Sequence, residues 1–141
     1  MITTKGRYAL RVMIDLAEHG QAGYIPLKDI SARQEISKKY LEIIMRDLVA
    51  GNLVNGASGK GGGYRLSRRP EEYTVYEILR QMEGTLSPVA CLADAENRCP
   101  RREQCLTLPL WTEYDTLTRD FFSRKTLGDL IRKQEDAHGT V

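Results

Sequence analysis

At 141 residues, with 41% hydrophobic and 28% charged side chains, the chain is expected to be one ordinary globular domain with a real core. It holds no run of about 18 apolar residues, which excludes a transmembrane helix. The stretch "MITTKGRYALRVM" lacks the apolar core and cleavage site of a secretory signal, so the expected location is the cytoplasm, where an odd count of three cysteines is not a disulfide framework.

The first predicted element is a helix from Thr4 to His19, where Tyr8, Ala9, Val12, Met13, Leu16 and Ala17 recur at steps of three and four. "HGQAGYIP" breaks it with two glycines and a proline. A short helix, "LKDISARQ", follows, with Leu27, Ile30 and Ser31 on one side. After a tight "EIS" connection, Ser37 is the expected N-cap of a third helix, "KKYLEIIMRDLVAG". Its apolar stripe is Leu41, Ile44, Met45 and Leu48, and Gly51 is its stop. Positions 39, 42, 43 and 46 share an outer face. Two helices joined by a tight turn, the second with a charged outer face, form the helix-turn-helix pattern. The net charge of +2 hides an uneven distribution. From Ile36 to Pro70, seven basic side chains (Lys38, Lys39, Arg46, Lys60, Arg65, Arg68 and Arg69) stand against only Glu42 and Asp47, the pattern of an anion-binding surface.

"NLVNGASGKGGGYRLSRR" continues the chain with "LVN" and "YRL" as short strands about a glycine-rich connection, hence a hairpin placed as a wing. It is not a phosphate loop. That motif needs a glycine where Val54 stands and Ser or Thr where Gly61 stands. The glycines suit a tip whose bare backbone lies close to a DNA phosphate; the alternative is a mobile loop. Thr74 and Glu77 then predict a capping box, and Val75, Ile78, Leu79 and Met82 a helical stripe that Gly84 ends. From Thr85 to Cys105 there is no periodicity. Pro109 opens a long helix whose face carries Leu110, Tyr114, Leu117, Phe121 and Phe122, a surface expected to pair with a second copy of the chain. "TLGDLI" is a short closing helix.

The expected fold is mainly α with a small β-hairpin. Residues 1–84 form a winged helix-turn-helix DNA-binding domain, 85–105 a cysteine-bearing loop, 106–134 a dimerisation helix region and 135–141 a flexible tail. No internal repeat or second domain is present.

All three cysteines fall in the fifteen residues "CLADAENRCPRREQC". Thiolates favour soft metals and iron–sulfur clusters. A zinc site usually shows a close Cys-x-x-Cys pair, which is absent. Gaps of seven and five residues allow three arms to wrap a larger cluster, with Arg98, Arg101 and Arg102 offsetting thiolate charge. The competing readings are another metal, or redox-labile or unused thiols. Other donors are Asp94, Glu96, Asn97 and Glu103 nearby, and the two histidines, His19 and His138. A metalloenzyme would need an acid–base pair beside the metal, and no such constellation stands out in this loop, so an enzyme is not expected.

"TTKGRYAL", "ISKKYLEIIMRDL" and "GKGGGYRL" resemble the IscR, NsrR and CymR family of bacterial regulators, within the larger Rrf2 group, over Met1 to about Gln134. "CLTLPLW" and "TLGDL" are similar to the IscR-like branch, and "EGTLSPV" to the cysteine-poor CymR-like branch. The resemblance implies a homodimeric winged helix-turn-helix transcription regulator on a pseudo-palindromic operator of double-stranded DNA. The third helix enters the major groove and the wing the minor groove. Lys38, Lys39 and Arg46 are expected to contact DNA, and Glu42 and Ile43 to tune the accepted bases, with Glu42 standing where an IscR-like glutamate discriminates operators. For Glu42 the alternative is an i, i+4 pair with Lys38 or Arg46. In the wing Lys60 and Tyr64 are DNA-binding candidates; Ser58 stands where IscR-like members carry arginine. Cys91, Cys99 and Cys105 map onto the three cluster ligands, and "CLTLPLW" favours [2Fe–2S]. IscR-like gaps are five and five residues, against seven and five here. The family's fourth ligand does not carry over: the histidine position is Leu108, and the NsrR-like acidic neighbourhood is Arg7 and Tyr8. The implied role is sensing of iron–sulfur cluster status in cluster biogenesis, iron or redox stress. The alternative is a cluster-free CymR-like regulator controlled by a protein partner or thiol redox.

Overall fold

The computed structural model describes residues 1–132. Their order is α1 (Thr4–His19), α2 (Leu27–Gln34), α3 (Lys38–Ala50), β1 (Val54–Ala57), β2 (Gly63–Leu66), α4 (Val75–Glu83) and α5 (Leu108–Ser123), with helical residues again over 127–132. The predicted helices stand where the apolar periodicity puts them. α1 buries Ala9, Val12, Met13 and Leu16, α3 buries Leu41, Ile44, Met45 and Leu48, and α4 buries Val75, Ile78, Leu79 and Met82. Each large aliphatic side chain so buried contributes about 1.5–3 kcal/mol. Both predicted caps form: Ser37 accepts from the Tyr40 amide at 3.2 Å, and Thr74 and Glu77 bond reciprocally.

The helix-turn-helix angle is set by a short turn and one buried acid. Glu35 sits at φ 55 in the left-handed region, and the following Ile36 drops into the core. Ser31 Oγ donates to the Ile36 carbonyl at 2.6 Å and locks that turn. Asp15 of α1 is 1% exposed. Arg33 of α2 grips it through two bonds of 3.0 and 2.8 Å, and Gln34 adds a third at 2.9 Å. A buried carboxylate without these donors would be strongly unfavourable, so they fix α2 on α1. Asp15 in turn raises the Arg33 pKa by hydrogen bonding against the opposing effect of burial.

The hairpin is antiparallel in the register Val54↔Leu66, Asn55↔Arg65, Gly56↔Tyr64 and Ala57↔Gly63. The first strand starts one residue later than predicted, because Leu53 bonds back to the Leu48 carbonyl at 2.9 Å and closes α3 instead. A third short segment joins the sheet, as Ile25 and Tyr64 exchange bonds of 2.8 and 2.9 Å. Gly63, at φ 143, permits this approach: a Cβ there would lie 2.2 Å from the Ile25 carbonyl oxygen. The α1–α2 connection is thereby stitched to the wing.

Between α4 and α5 the chain carries only a short turn at Ala90–Leu92. After α5 it reverses at Arg124. Val75 N–H then donates to Lys125 O at 2.8 Å and Leu127 N–H to Tyr73 O at 3.0 Å, and Leu127 is fully buried. α5 itself buries no residue. No helix among the described residues is long and apolar enough to cross a membrane. The predicted tail at 135–141, the last two residues of the 106–134 region and His138 lie outside the described residues.

Candidate nucleic-acid interface and cysteine loop

The apolar stripe of α3 faces the core, so geometry turns its charged face outward. Lys38, Lys39, Glu42, Ile43 and Arg46 are all exposed, Ile43 by 41%. None of the four charged members forms an ion pair among the described residues, so the helix pairs of Glu42 with Lys38 or Arg46 are not made. Between α3 and the hairpin runs an open groove of about 700 Å³. Glu42, Arg46 and Tyr64 line it together with Ser58; Lys60 stands exposed at the hairpin tip, and Lys38 and Lys39 at the start of α3. Tyr64 lies over its cross-strand partner Gly56, where a Cβ would approach its ring to 3.2 Å.

One further residue lines this groove, and another braces the wing from its other face. Val49 is 40% exposed and lines the groove one turn beyond Arg46. Its signal was its spacing, seven residues from Glu42 on a helix. Arg65 lies on the opposite face of β2 from Tyr64, with its guanidinium 4.5 Å from the centre of the Tyr24 ring. The contact is a cation–π stack. No sequence signal pairs it with Tyr24, because the backbone bridge at Ile25 brings them together.

The wing is rooted on Tyr73, which is fully buried. Its hydroxyl donates to Leu53 O at 2.7 Å and accepts from the amides of Ser67 and Arg68, each at 2.9 Å. Arg68 lies 4.4 Å over the same ring and pairs with Glu77. Burial pushes the Glu77 carboxyl up, but the Arg68 hydrogen bond, the Thr74 amide and the Arg68 charge outweigh it and hold it below its usual value.

All three cysteines are free thiols, Cys91 on the short 3-10 turn Ala90–Leu92 and Cys99 and Cys105 on irregular backbone. Cys91 and Cys99 line a shallow hollow of about 280 Å³ with Asp94, Glu96 and Arg98. Cys105 is not among its lining residues; it precedes α5 by three residues, with its sulfur 3.4 Å from Thr107 Oγ1. The Thr107 hydroxyl, then the amides of Thr107 and Leu108, hold its thiol below the usual cysteine value. Such donors stabilise a thiolate. Among the described residues no three His, Cys, Asp or Glu side chains converge on a metal-sized point. The donor set nevertheless suits an iron–sulfur group by its chemistry: three thiols, no regular element holding them apart, and amide donors at one sulfur. Leu108 offers no fourth ligand, and His19 sits at the end of α1 beside Glu18.

α5 projects an uncovered apolar face. Leu110, Tyr114, Leu117 and Phe121 are 57, 55, 64 and 49% exposed. An adjoining hollow of about 530 Å³ is lined by Met1, Ile2, Leu86, Pro88, Trp111 and Phe122, among others.

Comparison with known proteins agrees with this architecture. The profile of the Rrf2 family, described as an iron-dependent transcriptional regulator, matches residues 2–133. The HTH-type transcriptional regulator IscR of Escherichia coli is 36% identical over 134 residues, spanning 95% of this chain and 82% of that protein. The structure of T. potens IscR superposes with a TM-score of 0.77 at 31% identity, covering 97% of this chain and 90% of that one. CymR, the global cysteine regulator of B. subtilis, superposes with a TM-score of 0.75 at 32% identity, covering 94% and 97%. Matched over nearly its whole length in sequence and in winged-helix structure, the chain belongs to the Rrf2 family and is a DNA-binding transcriptional regulator.

Proposed function

We propose that this regulator binds a pseudo-palindromic operator as a homodimer and that an iron–sulfur cluster held by Cys91, Cys99 and Cys105 sets its DNA binding. The observation that carries the DNA half is the unpaired charged face of α3 beside a wing whose tip bears Lys60. Lys38, Lys39 and Arg46 supply phosphate contacts, Glu42 and Ile43 the base preference, and Lys60 and Tyr64 the wing contacts. Glu42 accepts from a cytosine amino group and repels phosphate, while Ile43 packs on a thymine methyl. Two-fold proteins read two-fold sites, so the half-sites lie about 34–36 Å apart or a multiple of it. A cytoplasmic location follows from this role.

The cluster half rests on three free thiols in one irregular segment and on the likeness to IscR. When bound, a cluster supplies a redox-sensitive link among the three thiolates. The thiolates tie 91, 99 and 105 into one path, and the ordered loop enters α5 at its first turn. Loop order then biases how the winged domains are held. The IscR-like "CLTLPLW" favours [2Fe–2S], completed by a local acidic or amide side chain or an exogenous ligand in place of the absent histidine.

The test is anaerobic purification followed by visible absorbance, iron and sulfide content, and operator binding. Wild-type protein is expected to be coloured, and Cys91→Ala, Cys99→Ala and Cys105→Ala each to lose the absorbance while staying folded and dimeric. Operator affinity of these variants is expected to be indifferent to reconstitution. Full iron and sulfide uptake by all three variants would reject the ligand assignment. Equal affinity and site preference of wild-type protein with and without cluster would reject the switch. One observation favours a second reading, in which a protein partner or thiol redox controls a cluster-free regulator: among the described residues no three His, Cys, Asp or Glu side chains converge on one point. Colourless protein with reversible thiol oxidation and oxidation-dependent DNA binding would support it.

A further inference from the structure

Besides the Ile25–Tyr64 bridge along β2, the wing joins the rest of the protein at two roots, Leu53 before β1 and Ser67 after β2. Leu53 N–H bonds to the Leu48 carbonyl of α3, but no α3 side chain hydrogen-bonds either root among the described residues. One phenol bonds both roots. Tyr73 Oη donates to Leu53 O at 2.7 Å and accepts from Ser67 N–H and Arg68 N–H at 2.9 Å each, so every valence of the hydroxyl is spent on the hairpin roots. Ser67 Oγ adds bonds to Asn52 O at 2.8 Å and Leu53 O at 3.2 Å. The backbone of the same residue faces the other way. Tyr73 O accepts from Leu127 N–H at 3.0 Å, and Val75 N–H donates to Lys125 O at 2.8 Å, so an antiparallel bridge at Thr74 and Thr126 fixes the segment leaving α5. Leu127 is fully buried beneath it, and Gly128 packs directly on Glu71, where a Cβ would lie 3.3 Å from the backbone.

We infer that Tyr73 is the positioning residue of the wing: its hydroxyl aligns the hairpin for DNA, and its backbone refers that alignment to the helix that follows the cysteine loop. This rests on the reading of the hairpin as a DNA-contacting wing. It also offers a route from loop to wing, through α5, the bridge at 125–127 and the Tyr73 side chain. The ring keeps its place without the hydroxyl, because Arg68 stacks on it and the core encloses it, so Tyr73→Phe separates alignment from packing.

In full-length Tyr73→Phe the amides of Val54–Leu66 are expected to lose about tenfold hydrogen-exchange protection relative to those of α1 and α3. Uniform loss over all elements, or none in the hairpin, overturns the proposal. Duplexes selected by wild-type protein from a random library supply the functional measurement. Lys60→Ala is expected to weaken binding several-fold in wild-type protein and to change nothing in the Tyr73→Phe background, because a loosened wing no longer delivers Lys60. Equal effects of Lys60→Ala in both backgrounds overturn the positioning role. If Lys60→Ala is silent in wild-type protein, the wing's DNA contact is what fails, and the exchange measurement alone decides Tyr73. Should Tyr73→Phe not fold, Ser67→Ala removes an exposed hydroxyl from the same roots and carries the same comparison. Leu127→Ala, at the opposite end of the route, is expected to lower hairpin protection too; loosening confined to the helical residues 127–132 overturns the connection to α5.

Discussion

At the scale of single residues, the proposed function gives the outer face of α3 two parts, affinity and choice. Lys38, Lys39 and Arg46 carry charge that any phosphate attracts, whereas Glu42 carries charge that phosphate repels. An acid that pairs with no base among the described residues, on a face proposed to meet DNA, is costly for non-specific binding and useful only where a base amino group meets it. Glu42→Ala is therefore expected to broaden the range of duplexes bound from a random library and to raise affinity for unrelated DNA. Because Glu42 is exposed and unpaired, stability is expected to change by no more than about 0.5 kcal/mol. An unchanged sequence preference would return Glu42 to the solvated surface. Val49, which lines the groove, and Ile43 supply apolar exposed surface on the same helix, and that exposure is what distinguishes them from the core residues Ile44 and Leu48.

At the scale of elements, the wing and α4 meet through the Arg68–Glu77 pair. The pair has a pH signature. Burial raises the Glu77 pKa, but the Arg68 hydrogen bond and the Thr74 donors bring it below the unfolded value. A depressed folded-state pKa means that folding favours the ionised form. The stability it contributes is complete above the unfolded pKa of Glu77 and is lost as pH falls through the lower, folded one. Urea midpoints are expected to fall through this acidic window, and Glu77→Gln is expected to flatten that part of the profile. Glutamine keeps the capping geometry, so the comparison isolates charge. A Glu77→Gln profile parallel to that of wild type would assign the acid loss to other carboxylates, such as Asp129, whose pKa is also held down, by the Thr126 amide first.

At the scale of the whole molecule, α5 is the unfinished part. A sixteen-residue helix that packs on α4 but buries no residue fully draws little from its own chain's core. Four large side chains on one face, each about half exposed or more, lose apolar contact with water only when another surface covers them. Under the proposed function a second copy of the chain supplies that surface, as an isologous contact about a two-fold axis. Sedimentation of wild-type protein at micromolar concentration is expected to give a dimer, with and without DNA. Leu117→Glu, at the most exposed of the four, is expected to give a folded monomer with operator affinity lowered about tenfold or more, since one half-site is lost. A wild-type monomer, or an unaffected Leu117→Glu dimer, would place the subunit contact elsewhere.

Local chemistry made the elements legible. The steps of three and four in α1, α3 and α4, Ser37 and Thr74 as caps, Gly51 and Gly84 as stops, and the glycine-rich hairpin connection each act within a few residues, so the chain alone specifies the helix-turn-helix and its wing. The clustering of Cys91, Cys99 and Cys105 is likewise a property of sequence, as is the charge of α3. Contacts between distant residues were not legible. Nothing in the order of residues says that Asp15 takes Arg33, that Tyr24 stacks on Arg65, or that Tyr73 joins the roots of the wing to the chain beyond α5. Side chains 18, 41 or more residues apart meet only after helices pack and the hairpin closes. The same holds for the thiols. Sequence put them in one segment, and tertiary structure set Cys91 and Cys99 in a shared hollow, while the Thr107 hydroxyl and the amides of Thr107 and Leu108 at the entry to α5 hold the Cys105 sulfur.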